Sequence, residues 1–294
     1  MCILNESITV SNPAWRAHIH GSIQWLRRIG PELWTQSEAG CILYQLFAGH
    51  AILSLSPFLH DGSCDSGSST IDFQCSREQY CLDQIYGVPY DMLNAVNKLN
   101  KIMTGAIHLS ENDLDLLEME MYLMVPSKTM LNSYNGEDNN ASYNNDNNTD
   151  GFPTAVYTSR IQELRLSYHL NYTFYFASLI YFKRSIRHVP VASVQHLVVK
   201  AITHLEAACQ YASGPFSPTV WSSAIPAFEI DDQALLSRWL RMCENFWAKT
   251  NFEVWDTLKV LAMRLWEERN VIGQENMTWQ TLMKMEPDLS MMLI

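Results

Sequence analysis

Tyr168-His169-Leu170-Asn171-Tyr172-Thr173-Phe174-Tyr175-Phe176-Ala177-Ser178-Leu179-Ile180-Tyr181-Phe182 is the most apolar stretch of the chain, and its spacing decides the fold class. Tyr168, Tyr172, Tyr175, Phe176, Leu179 and Phe182 recur at the period of an α-helix. Ile161 and Leu164 before them and Ile186 after them keep that period. One helix is therefore expected from about Tyr157 to His188, ended by Pro190. Its apolar arc is wide, and a helix of that kind is buried on more than one side. Asn171, Thr173 and Ser178 interrupt the run, which is too short and too polar to span a bilayer.

The same period extends outward in both directions. Toward the C-terminus, Ser193 to Tyr211 turns Val194, Leu197, Val198, Ala201, Ile202 and Leu205 inward, and Gly214-Pro215 breaks it. Ser217-Pro218 starts a short helix with Trp221 and Ile225, bent or ended by Pro226. Asp231 is the expected cap of a helix holding Leu235, Leu236, Trp239, Met242 and Phe246. Asn251 caps one more, with Val254, Leu258, Leu261, Leu265 and Trp266, and a final turn carries Trp279, Leu282 and Met283.

Toward the N-terminus, Asn12-Pro13 opens a helix with Trp15, Ile19, Ser22, Ile23, Leu26 and Ile29 on one face, and Gly30-Pro31 stops it. Thr35 and Glu38 form a capping-box pair for a second helix, which carries Ile42, Leu43, Leu46, Phe47, Ala51 and Leu53 and closes at Pro57. A third begins near Pro89 and buries Met92, Leu93, Val96, Leu99, Ile102 and Met103. A fourth follows Ser110, with Asp113 as capping partner and Leu114, Leu117, Met121 and Met124 inside.

No hairpin and no alternating β-branched run is present, so the expected fold is all-α, a multi-helix bundle or array. Between Pro126 and Phe152 the chain crowds Asn132, Asn135, Asn139, Asn140, Asn144, Asn145, Asn147 and Asn148 with Gly136 and Gly151. Asparagine competes with helix through its own amide, and little here can be buried. The expected organisation is an N-terminal helical part over 1–125, a disordered Asn-rich loop over 126–156 and a C-terminal helical part of the same domain over 157–294.

The chain has 294 residues, 47% of them hydrophobic, which is enough for a large core. Twenty Lys and Arg against 31 Asp and Glu leave a net charge of −11. Such a surface repels phosphate backbones and anionic membranes, so direct nucleic-acid contact and membrane binding are not expected. The cysteines are Cys2, Cys41, Cys64, Cys75, Cys81, Cys209 and Cys243, without a C-x-x-C pair, and no charged-then-apolar leader opens the sequence. These features point to a soluble intracellular protein with reduced thiols.

Several partial motifs fall short of a reaction centre. Asp61-x-Ser63-x-Asp65 resembles the start of a calcium loop, but Ser66 stands where glycine makes the turn and no glutamate closes it. Cys64, Cys75 and Cys81 with His50 and His60 lack the close pairs of a structural zinc site. His18 and His20 point to different helix faces, and His196 and His204 are too far apart in sequence to act as a ligand pair. The string Cys64-Asp65-Ser66-Gly67 lacks the β-barrel that activates a protease serine. An all-helical isoprenoid synthase is the enzyme alternative. Asp231-Asp232 and Asn112-Asp113 with Glu120 echo its magnesium motifs, but in reversed order and with acids missing. Helix capping and first-turn placement explain these acids as well. Trp15, Trp221, Trp239 and Trp266 sit at core-like positions and fill volume. No catalytic, cofactor, metal or DNA-binding residue is assigned, and no ligand pocket is identifiable.

Read in order, certain segments resemble the fungal-specific transcription factor domain, in the branch of zinc-cluster regulators of arginine metabolism, sterol uptake and sexual development. They are Trp15-Arg16-Ala17-His18-Ile19-His20-Gly21-Ser22 leading to Gly30; Leu82-Asp83-Gln84-Ile85-Tyr86-Gly87-Val88-Pro89; Tyr181-Phe182-Lys183-Arg184-Ser185-Ile186; and Trp221-Ser222-Ser223-Ala224-Ile225-Pro226. Asp231-Asp232 and the section from Trp266-Glu267-Glu268 to Trp279 complete the match, which covers residues 13 to 294. Full-length members carry a zinc cluster of six cysteines packed among Lys and Arg, and the cysteines here are scattered. The resemblance implies a nuclear regulator of RNA polymerase II transcription, serving a metabolic pathway and not acting as an enzyme. Its expected partners are proteins of the transcription machinery or a homologous regulator, with a small apolar ligand as a further expectation. A helical partner that dimerises with a full-length zinc-cluster regulator is the alternative within the family.

Overall fold

The computed structural model describes residues 36–55, 73–127, 154–212, 219–250, 254–274 and 277–286, together with 21, 23–26, 28, 30 and 34; side chains between 154 and 159 and at 55, 247, 249 and 250 are not among those described. Among the described residues every regular element is helical. In chain order they are α1 (Glu38–Leu55), a 3₁₀ turn (Arg77–Gln79), α2 (Leu82–Tyr86), α3 (Tyr90–Met103), α4 (Glu111–Leu123) and α5 (Thr154–Tyr181). A π turn (Phe182–Ile186) leads on to α6 (Val191–Tyr211), α7 (Val220–Ala227), α8 (Gln233–Thr250), α9 (Val254–Asn270) and α10 (Trp279–Met285). The all-α reading of the sequence holds. No described helix is long and apolar enough to cross a membrane.

The centre of the molecule is α5. Phe174, Ala177, Leu179, Ile180, Tyr181 and Phe182 are fully buried. They meet α6 along one side and α7 on another, with α2 and α3 also in contact. That explains the wide apolar arc of the sequence: a helix surrounded by neighbours needs no polar face. All eight residues of α7 are buried, among α5, α6 and α9. Trp221 lies 5.1 Å from the Phe174 ring and edge-on to Tyr181. Pro226 has no N–H to give the Ser222 carbonyl, and α7 ends one residue later. One continuous core joins α1, α3 and α4 to α5–α10, and a smaller cluster of Ile23, Leu26, Tyr44, Ala48 and Ala51 lies beside it.

The structure corrects several local expectations. At the start of α1 the Ser37 Oγ accepts the Gly40 N–H at 3.1 Å, while Thr35 of the expected Thr35–Glu38 box lies outside the described residues. The inner face of α1 is Cys41, Tyr44, Gln45, Ala48, Ala51 and Ile52, while Leu43 is exposed. This helix is apolar nearly all round, so its period could not choose a face. Asp232, not Asp231, caps α8, accepting the Leu235 N–H at 2.7 Å. Helix α5 begins at Thr154, within the stretch expected to be loop, and its regular winding ends at Tyr181 instead of His188. The expected capping box at Ser110 and Asp113 is present in both directions. Trp15, Ile19, Asn251, the calcium-like loop from Asp61 to Asp72 and most of the Asn-rich segment lie outside the described residues.

Candidate regulatory site: the charged hub at the end of the central helix

After Tyr181 the backbone widens by one residue per turn, and the Arg187 N–H reaches the Phe182 carbonyl at 3.2 Å. Turns of this kind are rare and concentrate at functional positions. The effect here is to splay three cations that a regular helix would align differently. Lys183 donates to Glu118 of α4 at 2.6 Å. Arg187 pairs with Glu111 at 2.7 Å, with Asp115 and with Glu118, all on α4. Arg184 turns inward, donating from Nε to Glu229 Oε2 at 2.8 Å and from Nη1 to the Val189 carbonyl.

Glu229 follows α7 and is almost wholly buried. The same Oε2 also faces Arg269 Nη2 of α9 at 3.2 Å. Arg269 is itself buried; its Nε donates to the Met277 carbonyl at 2.7 Å and its Nη1 to the Phe228 carbonyl at 2.5 Å. Its Nη2 lacks a well-directed hydrogen bond. Burial pushes the Glu229 carboxyl above its usual range, against the pull of the two guanidiniums, and burial lowers Arg269. Two buried cations thus share one carboxylate. Such a cluster is costly to desolvate and strongly destabilising when one member is removed, so it fixes an arrangement more than it adds stability.

A polar cleft of about 270 Å³ opens on this junction, lined by Arg184, Ser185, His188, Glu229, Thr278, Gln280, Thr281 and Lys284. Gln280 donates from Nε2 to Ser185 Oγ at 3.3 Å, tying α10 to the π turn. Thr278 caps α10, accepting the Thr281 N–H at 3.1 Å. His188, on the rim, has φ 52°, a left-handed conformation that few non-glycine residues adopt.

The residues weighed from the sequence do not form a reaction centre. Asp232 and Asp113 are helix caps on the surface, and Asn112, Glu120 and Asp231 are exposed. Cys75 and Cys81 lie near Cys41 around Gln45, whose Oε1 accepts the Cys81 N–H at 2.9 Å. Burial pushes the Cys75 thiol up to about 12 and raises Cys81 too, which keeps both protonated and unreactive. Among the described residues, no group of three or more His, Cys, Asp or Glu is placed to hold a metal ion. His196 is exposed, whereas His204 meets His169 with their Nδ1 atoms 3.0 Å apart. Trp221 and Trp239 are buried as expected, but Trp266 is half-buried, its Nε1 donating to the Asp231 carbonyl at 3.4 Å. His18, His20, His60, Cys2 and Cys64 lie outside the described residues.

Arg184, Glu229 and Arg269 were not singled out from the sequence. Each is separated from the others by a helix or more. The available signal was Lys183-Arg184 at the end of an otherwise apolar helix, where two cations must find partners.

The arrangement is one of helices locked by ion pairs, with Asp232 and Asp113 spent on caps and Glu118 and Glu229 on bridges. The chain matches the fungal specific transcription factor domain over residues 1–294, and it belongs to that family. The family is regulatory and non-enzymatic, and membership implies a role in transcription. No curated protein and no solved structure matches the chain.

Proposed function

We propose that this chain regulates RNA polymerase II transcription of a metabolic pathway in the nucleus by docking to other proteins, without touching DNA itself. The observation that carries the reading is the outer face of α4. Leu116, Met119 and Leu123 are 57%, 61% and 80% exposed, at the spacing of one helical stripe, with Tyr122 and Val125 beside them. Inner positions Leu117 and Met121 are buried, so the outer stripe is surplus to the fold. The exposed Glu120 flanks it, as do Glu111 and Asp115, which are already paired with Arg187, and α4 carries no basic residue. An exposed apolar stripe edged with acids suits an apolar groove rimmed by Lys and Arg on a partner. A homologous regulator bearing such a groove would satisfy the dimerising alternative.

An apolar small ligand has less support. The apolar cleft between α1 and α2, lined by Leu46, His50, Leu53, Leu82 and Val88, measures about 20 Å³. That is far below the roughly 300–1,000 Å³ of ligand pockets. The branch regulating arginine metabolism and sterol uptake remains the one its ordered motifs resemble. We further infer that 1–125 and 157–294 are parts of one domain joined through 126–156.

The test replaces Leu116, Met119 and Leu123 together by Ser and measures transcript levels in the native host. Loss of regulation with an unchanged melting temperature supports docking through α4. Regulation that persists in the folded triple variant, or nanomolar binding of the purified chain to CGG-containing duplex, would overturn the reading.

A further inference from the structure

We propose that the polar cleft beside the Arg184–Glu229–Arg269 junction is a binding site for a small organic anion, with a carboxylate or phosphate as the recognised group. This goes beyond docking through α4 and does not depend on it.

Charge is the first argument. Oε2 of one carboxylate is shared by two guanidiniums, so two buried cations hold one buried carboxylate between them, with the exposed Asp231 acting on Arg269 as well. Buried charge is normally paired, and an excess of buried cations over buried carboxylates next to a cleft favours an anion. Lys284 adds a further cation to the wall.

Donor count is the second. Arg184 uses Nε and Nη1, which leaves the outer nitrogen of its fork without a hydrogen bond among the described residues. Ser185 is buried and accepts from Gln280, so its own O–H proton is unspent. Thr278 and Thr281 share one hydrogen bond between their hydroxyls at 2.8 Å, so one of the two protons remains to be given. Arg184, Ser185 and the Thr278–Thr281 pair, all lining the opening, thus keep protons to give, and oxyanions are acceptors only.

Shape and backbone are the third. At about 270 Å³ the cleft lies near the small end of ligand pockets, roughly 300–1,000 Å³. It is floored by a π turn and rimmed by left-handed His188, two unfavourable backbone features that meet at one place. Strain of this sort persists where surrounding structure imposes it and clusters at ligand sites. An anion seated here would bridge the π turn to α10.

The test uses the whole purified chain at constant ionic strength. Its melting temperature is followed with inorganic phosphate and, separately, with succinate, using sodium chloride as the reference. A saturable rise with phosphate assigns a phosphate ligand and a rise with succinate a carboxylate; either supports the site. Because Arg184→Met removes a buried partner of Glu229 and is expected to unfold the domain, the informative variant is Lys284→Met with Thr281→Val, at the cleft wall. Read as the anion-induced rise above its own anion-free melting temperature, it should bind at least tenfold more weakly than the parent. Anions that stabilise no better than chloride, or that bind the double variant as tightly as the parent, would refute the site.

Discussion

His50 shows how one side chain can set a pH dependence that no motif announces. It sits on α1 against Tyr86, and its Nδ1 is buried without a hydrogen-bond partner. Burial lowers it from 6.5 to about 4. A histidine depressed in the fold stays neutral there while the unfolded chain takes up the proton. Between those two values the unfolded state therefore binds more protons, and stability rises with pH. The contribution is complete above about 6.5 and is lost as pH falls toward 4. At pH 5.5 the loss is about 1.4 kcal/mol, one pH unit below the unfolded value. Urea unfolding at pH 7.5 and 5.5 should show that loss in the native chain and a smaller one in His50→Leu. Equal losses in both would mean that the imidazole is solvated in the fold. The sequence offered His50 only as a distant zinc candidate, because burial of a ring nitrogen depends on which helices close over it.

At the scale of elements, legibility followed amphipathicity. Helices α3, α6 and α8 each have a distinct inner face, and their buried residues could be read from spacing alone, whereas α4 is apolar outside as well as inside. Helices α1 and α7 are apolar nearly all round, so spacing announced a helix but not its orientation. The π turn was illegible, since Phe182–Ile186 has ordinary helical composition and its backbone widens to serve partners far along the chain. The hub residues were hidden for the same reason. Gly87, quoted from the sequence as part of a family motif, now has a physical cause. It ends α2 in the left-handed region at φ 65°, with Val88 N–H bonded back to the Leu82 carbonyl at 3.2 Å. A Cβ there would stand 2.1 Å from the Leu170 Cβ of α5. Gly87→Ala should therefore cost about 2–4 kcal/mol, from left-handed strain together with overpacking. Chemical denaturation reads the cost directly. A loss under 1 kcal/mol would show that α2 is not docked on α5 this closely.

For the whole molecule, the decisive link is polar and runs between the two halves of the chain. Asn100 of α3 donates from Nδ2 to the Ile52 carbonyl of α1 at 2.8 Å. Its Oδ1 accepts from the Tyr181 hydroxyl of α5 at 3.0 Å. Tyr181 and Asn100 are both buried, so removing the amide takes a donor from the Ile52 carbonyl and leaves the Tyr181 hydroxyl only the weak acceptor Met103 Sδ at 3.1 Å. That penalty is about 1–3 kcal/mol for each group left unsatisfied. Three helices from both sides of the Asn-rich stretch meet at this one side chain, inside a core that is continuous across them. If 1–125 and 157–294 are one cooperative unit, Asn100→Ala must lower the stability of residues that never touch it. Among the described residues Trp221, Trp239, Trp255 and Trp279 are all buried in the C-terminal part, so fluorescence is weighted toward that part, whereas far-UV circular dichroism follows helices of both. Both signals should keep a common midpoint in the variant and shift downward together. A fluorescence midpoint that stays at the parent value while circular dichroism falls would show that the two parts unfold independently. The charged hub would then be an interface between domains, and its ion pairs would be free to break and reform as the domains move.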